Sequence, residues 1–588
     1  MASDLFPLIK RGGSVLDGTW LRSLTSLRVE RAVGLVGRAT LRFLDTGYSL
    51  SASNTFSLGS TVTISQPDGG TLLEGTVTGV NLELSTNQIP QLVVVVDDAA
   101  YKLMRGTEIA TYLNGSYTSV LQKICTRHGL RPQVQSSTLT MEYVLQAGTD
   151  LAFLDTVCER LGYSWFVDDN KTLVAKKLKL ASPVATLTFG LDLDTFSVRA
   201  SGLRPTEVSV HGWDPDQQRD VTDKNPTSPT SSPPEFVADY LGSKPSRSLT
   251  KSATSVADRP PLTTSEAKVM ADAYFDDWSS AAVVARGSTD VASTIKPGAT
   301  IKVKDAGPTS GNYLVTSVEH IWSRGGFMTR FECGARRPAG LVDTLGPRSA
   351  DPGFAVSGLV IGVVTDANDP DKAGRVKVRY AGINGQIESP WARVVTLGGG
   401  NARGAVFHPE VRDEVLLGFE HSDTRRPVVL GGLFSKRNTL PKGESYVANG
   451  KVNYRRITSR SNHMIELADG DTPTTQHLLL KHGTKTTHRL RIGADRFDIE
   501  VGEGVPLTIK AGSAKFDISN SGDVTIEGTN ITLKAKAKVS IEGGAQVAIK
   551  GNAGASLEGA KVDVKATGMA TLEASGVATI KGATVMIN

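Results

Sequence analysis

The chain has 588 residues, a length for several domains rather than one. Sixty glycines, 6% aromatic and 39% apolar residues suit short strands and tight turns better than long helices. A formal charge of +5 gives no reason to expect nucleic acid, and Cys125, Cys158 and Cys333, widely spaced and without a CxxC, argue against a disulfide framework or a structural zinc site.

Three unpaired cysteines point to assembly in a reducing compartment. No run approaches the ~20 apolar residues of a bilayer span. The opening "MASDLFPLIKRGGS" lacks a signal-peptide core, so synthesis in the cytoplasm is expected and Asn114-Gly115-Ser116 carries little weight as a glycosylation acceptor.

Residues 1 to about 200 read as strands with two helices. In "TSVLQKICTRHGL", Thr118 is the expected cap, Val120, Leu121, Ile124 and Cys125 share a face, and Gly129 stops the helix. In "TDLAFLDTVCERLGYSWFVDD", Thr149 or Asp150 caps, Leu151, Leu154, Val157, Cys158 and Leu161 form the stripe, Gly162 ends it, and Tyr163 to Val167 reads as a buried strand. A Pro/Ser/Thr-rich excursion follows over about 222–262. The capping-box pattern Thr263-x-x-Glu266 then opens a third helix through about Ala282. Strands resume at Thr300 to Val303 and Tyr313 to Glu332, before a linker-like "RRPAGLVDTLGPRSADPG". Residues 355–435 carry five strand candidates, Leu359–Thr365, Arg375–Tyr380, Ser389–Val395, Glu414–Phe419 and Val428–Leu433, which fit a small barrel. Residues 436–495 are mixed and polar, with apolar segments His463–Leu467 and His477–Leu480.

From 496 to 588 a short repeat takes over. Apolar residues at Ile518, Ile526, Leu533, Ile541, Ile549, Leu557, Val564, Leu572, Ile580 and Ile587 recur at gaps of 8, 7, 8, 8, 8, 7, 8, 8 and 7. A second apolar residue stands two positions earlier at most copies, and Gly or Ala two positions later, as at Gly528, Gly543, Gly551, Gly559 and Gly582. The residues between are polar. Alternation by two is a strand signal, and β-branched residues with repeated Gly oppose a helix. Glycine at these corners is expected for its backbone freedom and for close approach. Eight residues are too few for a full coil of a single-chain β-helix. Three chains can each supply one side of a triangular coil, pairing every strand with its neighbours. Burying one Val, Ile or Leu contributes ~1.5–3 kcal/mol, so roughly nine octads amount to tens of kcal/mol per chain before entropy is subtracted. A stiff, intertwined homotrimeric rod is predicted.

These octads resemble the triple-stranded β-helix of the VgrG family, the spike proteins of contractile tails. The stretches "GVVTDANDPDKAGRVKVRY", "SPWARVV" and "GGGNARGAVFHPEVRDEVLLGFEHSDTRRPVVLGGL" resemble its OB-fold module, and "GTDLAFLDTVCERLGYSWFVDD" and "GNYLVTSVEHIW" resemble its phage tail-hub half. The resemblance implies a mainly β homotrimer. Its parts are a hub over 1–345 built from two β-barrel-type subdomains, an OB barrel over 355–435, a neck over 436–495 and a trimeric β-helix needle over 496–588. It further implies a hub that docks on an inner tube protein and other baseplate proteins. The needle would meet a target envelope by mechanical contact, within a phage tail-like particle delivered to or released outside the cell. In this family a PAAR-type protein often caps the tip. The chain stops at "ATVMIN", with Val585, Met586, Ile587 and Asn588 as an uncovered apolar end, so such a cap is expected. Neither a lysozyme domain between barrel and needle nor a C-terminal effector is expected.

No catalytic residue, cofactor or metal site is expected. His463, His477, His482 and His488 lack helical i,i+4 ligand spacing and read as neck or surface residues. "DANDPDKAG" (366–374) places Pro370 where a calcium loop needs an oxygen ligand and reads as a turn. "LGGGNARG" (397–404) lacks both GxGxxG spacing and a GK[ST] ending. The acids of the needle are isolated and interleaved with Lys534, Lys550, Lys565 and Lys581, unlike a paired-carboxylate cleft. A trimeric tail fibre that binds or degrades polysaccharide is the alternative. The lack of Phe, Trp or Tyr from Ser521 to Asn588 opposes it.

Overall fold

A computed structural model describes residues 6–202, 205–225, 252–257, 259–290, 292–334, 358–381, 386–441, 445–483 and 488–587. The expected linker over 336–353 and Asn588 lie outside these residues, as does most of the 222–262 excursion. The chain divides into two compact units, Met1–Leu440 and Pro441–Asn588.

The first unit is dominated by one 13-stranded sheet. Its centre is a pairing distant in sequence, Leu24–Ala32 against Gly311–Ser323, antiparallel from Ser26↔Ser323 to Ala32↔Ser317. The sheet carries two separate apolar cores. One gathers Trp20, Phe43, Phe56, Ile64 and Trp322. The other gathers Leu187, Ile301, Tyr313, Val315, Phe331 and Cys333. Both cores lie on a single sheet, because strands from the two ends of residues 8–333 complete each other's edges.

A third core holds the two early helices, Tyr117–Arg127 and Asp150–Leu161, against Trp165, Leu173 and Ala175. Ser116, not Thr118, caps the first, its Oγ accepting from Ser119 N–H at 3.1 Å. Thr118 instead accepts from Ser137 N–H and donates to the Gln135 carbonyl. Thr149 caps the second, and Gly162 closes it at φ +67°, a left-handed conformation that glycine adopts without strain. The third helix, Thr264–Ser280, packs against a sheet of Glu207–Asp214, Arg219–Asn225 and Ala253–Val256. Its cap is half a capping box. Thr263 accepts from Glu266 N–H, but the Glu266 carboxylate turns to Leu262 N–H and into the protein.

The barrel has strand order Lys377–Tyr380, Val360–Asp366, Glu414–Phe419, Pro427–Gly432, Arg393–Val394. Reciprocal hydrogen bonds between Val376 and Ala392 (3.0 and 2.8 Å) join the two ends of that order. Its core is Val364, Val376, Val378, Tyr380, Val415, Leu417 and Val429, and it includes Tyr143 and Leu145 from the hub strand Thr140–Gly148.

A buried ion cluster adds a second tie. Arg425 of the barrel hairpin donates to Asp423 (2.7 Å) and to Glu266 (2.9 Å), and Glu266 also accepts from Arg160. All four are buried. Burial pushes the Glu266 carboxyl up, but Arg425 and Arg160 outweigh it and hold the group at about 2. Arg426 reaches the Trp213 and Pro261 carbonyls, both at 3.0 Å. Hub and barrel are therefore one body in this unit.

The 366–374 segment is a turn organised by Asp369. Its carboxylate accepts from Arg375 and from the N–H groups of Asp371, Ala373 and Arg375, and the Arg375 hydrogen bonds hold it below the usual carboxylate range. Its oxygens are occupied by protein donors.

Candidate assembly interface

The second unit opens with a short pairing of Val447–Ala448 and Lys451–Val452, followed by a five-stranded antiparallel meander, Tyr454–Thr458, Met464–Asp469, Gln476–Lys481, Arg489–Gly493 and Phe497–Glu500. Two apolar rows run straight across it. Ile457, Ile465, Leu480, Leu490 and Ile499 stand opposite one another strand by strand, and so do Leu467, Leu478, Ile492 and Phe497. Residues directly opposite share a face, so both rows lie on one side. That side is open: Ile465 is 47%, Leu478 49% and Phe497 61% exposed. It forms a shallow basin of about 590 Å³.

The other side is mostly polar, and Glu466 and Ala468 at its centre are covered. Glu466 is buried, accepts from Arg456, and has His477 Nε2 at 3.1 Å. The Arg456 guanidinium lies 4.6 Å from the Tyr454 ring centre and 5.2 Å from that of Tyr446. A water-soluble sheet normally buries its apolar face and wets its polar one. This sheet is the reverse.

Three of the four late histidines meet at its edge. Ring centres of His463 and His482 are 4.4 Å apart, and those of His482 and His488 are 5.5 Å apart. Nδ1 of His463 accepts from Gly483 N–H, and Nδ1 of His488 from Gly502 N–H. In the neutral rings Nε2 then carries the proton, so neither offers a free lone pair to a metal. Among the described residues no group of three or more His, Cys, Asp or Glu is arranged to hold a metal ion. Nothing in the spacing announced this meeting. The i,i+2 apolar pairs 465/467, 478/480, 490/492 and 497/499 are the signal that could have found the rows.

A second meander follows: Leu507–Ala511, Ala514–Ile518 and Val524–Glu527. Ile518 and Ile526, the first two members of the octad series, sit on adjacent antiparallel strands of it. After Gly528 the form changes. Extended runs are broken by bends at 529, 536–537, 544–545, 552–553, 560, 567–568, 575–576 and 583–584. That rhythm is the octad. Among the described residues from 528 to 587 none is buried and no backbone N–H meets a carbonyl of this chain.

Leu533, Ile541, Ile549, Leu557, Val564, Leu572, Ile580 and Ile587 are all exposed, as are Val585 and Met586. Gly528, Gly543, Gly551, Gly559 and Gly582 each stand just before a bend. None has a left-handed φ, so the backbone freedom expected of them is not what the corner uses. Close approach is. A Cβ on Gly551 would lie 2.1 Å from the Gly554 oxygen, and one on Gly543 would lie 2.4 Å from that of Gln546.

Residues 8–323, more than half of the chain, match the family described as the Alg8 N-terminal domain. Residues 360–434 match the type VI secretion system/phage-baseplate injector OB domain. Over 161 residues the chain is 29% identical to the type VI secretion system spike protein VgrG5 of Pseudomonas aeruginosa. The chain belongs to the Alg8 N-terminal domain family and to the VgrG and phage tail-spike proteins. The Pseudomonas match covers 25% of this chain and a fifth of the length of that relative. A Francisella PdpA–VgrG complex shares the fold at a TM-score of 0.51 and 8% identity, over 85% of this chain and 88% of that one. An E. coli component of the type VI secretion system aligns at a TM-score of 0.45 and 16% identity, over 72% of this chain and 99% of that one.

The OB match falls on the five strands of the barrel. No helix among its described residues is long and apolar enough to cross a membrane.

Proposed function

We propose that three copies of this chain form the hub and the membrane-puncturing spike of a contractile injection system, without enzymatic activity. The N-terminal half docks the inner tube, and the octad region, wound from three chains, pierces the target envelope under a force supplied by other proteins.

One observation carries this reading. An apolar surface left open by the chain itself runs from the inverted neck sheet through every octad. Open apolar patches of this extent mark interfaces. Its repeat of bends and alternating side chains suits a copy of itself, since each octad offers the same short strand and the same unpaired backbone groups. The corner glycines let the backbone turn tightly, and the exterior stays polar. Val585, Met586 and Ile587 are the surface on which a PAAR-type cap would rest, with Asn588 beyond them.

Light scattering of the purified protein is expected to give three times the chain mass of 62.3 kDa, and a single-chain mass would end the model. Ile549→Asp is expected to prevent assembly, because it sets carboxylates in the apolar interior of one octad level. A normal, heat-resistant trimer carrying that substitution would place Ile549 outside.

A further inference from the structure

Charge in the second unit alternates along the chain, and residues 441–495 carry nine basic and five acidic residues, a net +4. Residues 496–527 carry Arg496, Lys510 and Lys515 against six acids, a net −3. Residues 528–588 carry seven lysines and four acids, a net +3, with no arginine or histidine. Three lysines, Lys534, Lys536 and Lys538, crowd one octad corner, and the bend at 536–537 falls among them. All seven are exposed. Among the described residues only Lys561 pairs with an acid, Asp563 at 2.7 Å. The other six leave their charge to the surroundings.

From the charge of the octads we infer that this region is a cationic contact surface for an anionic, phosphate-bearing lipid surface. The inference rests on the three-chain reading above. Three copies carry about nine net positive charges over the octads. Near an anionic leaflet the lysines are attracted over a reach of one Debye length, about 8 Å at physiological salt. Only lysines within that distance count, so the effect is a capture step and not a permanent anchor. Lysine suits the task because its ammonium stays strongly hydrated and releases readily. The octads carry no Phe, Trp or Tyr to insert among headgroups.

The test uses the full chain and vesicles of phosphatidylcholine with or without about a third phosphatidylglycerol. Co-sedimentation at 50 mM salt is expected only with the anionic vesicles, and is expected to fall about tenfold at 300 mM. K534Q/K536Q/K538Q is expected to lower it about tenfold, and K550Q/K565Q/K581Q serves as a second variant should the first assemble poorly. Scattering on the same samples separates the two ideas. A three-chain species that ignores anionic vesicles, binds both vesicle types alike, or binds unchanged in both variants overturns this inference and leaves the spike standing. A single-chain species overturns both. Equal capture of double-stranded DNA at 150 mM salt would assign the surface to polyanions in general and overturn the lipid assignment.

Discussion

At the scale of single residues, the most consequential groups are buried charges that no surface motif announces. Glu266 sits between Arg160 and Arg425, with Asp423 completing the cluster. Breaking one partner out of such a set costs about 3–5 kcal/mol, because the remaining charges stay buried and uncompensated. Glu266→Gln is expected to lower stability by that order in chemical denaturation, and a neutral result would show the cluster to be wetted. His320 is buried with Nδ1 2.9 Å from Thr329 Oγ1. Burial first, then Arg31 and Lys296, depress it from its ordinary 6.5 to about 3. The fold keeps the ring neutral while the unfolded chain takes up a proton below about 6.5, so stability falls as pH drops from 6.5 toward 3. Glu266, held at about 2 against an ordinary 4.5, adds a loss in the same direction below about 4.5. Melting temperature is expected to decline from pH 7 to pH 4, with His320→Gln flattening the slope above pH 5. An unchanged slope in that variant would assign the effect elsewhere.

At the scale of elements, the octad corner is decided by glycine pairs with different duties. A methyl on Gly551 meets the Gly554 oxygen at 2.1 Å, whereas one on Gly554 meets nothing within 4 Å. Gly551→Ala is expected to destabilise the assembled protein by roughly 1–3 kcal/mol per chain, and Gly554→Ala to be close to neutral. Denaturant midpoints compare the two, and equal midpoints would refute the corner geometry. Helix boundaries were legible from local signals, as at Thr149, Thr263 and Gly162, because a cap is made within a few residues. The misplacement of the first cap has the same root. Ser116 and Thr118 are both good cap residues, and only the meeting of Thr118 with Gln135 and Ser137 decided between them. In the neck the i,i+2 pairing of Ile465 with Leu467 and of Leu478 with Leu480 reveals strands. It cannot tell which face is covered, since that depends on what lies above the sheet.

At the scale of the whole molecule, the division of labour follows from where apolar surface is satisfied. The first unit closes its cores within one chain, through hub strands, barrel and ion cluster. The second leaves its rows and octads open. If three chains wind about one axis, they cannot part without unwinding many strands together. Separately purified trimers carrying different tags are then expected not to exchange chains over hours at 25 °C. Mixed species within minutes would show side-by-side packing instead of an intertwined rod.

What the sequence by itself determined is whatever repeats or is local. The octad rhythm, the alternation of apolar and polar residues and the caps at Thr149 and Thr263 come from spacings of a few residues, where backbone geometry leaves few choices. Only the tertiary structure decided the joining of Leu24–Ala32 to Gly311–Ser323, the entry of Tyr143 and Leu145 into the barrel core, the placing of Glu266 beside Arg425, and the meeting of His463, His482 and His488. Each of these unites residues whose separation along the chain no periodicity encodes, and each is chosen by the packing of complete surfaces.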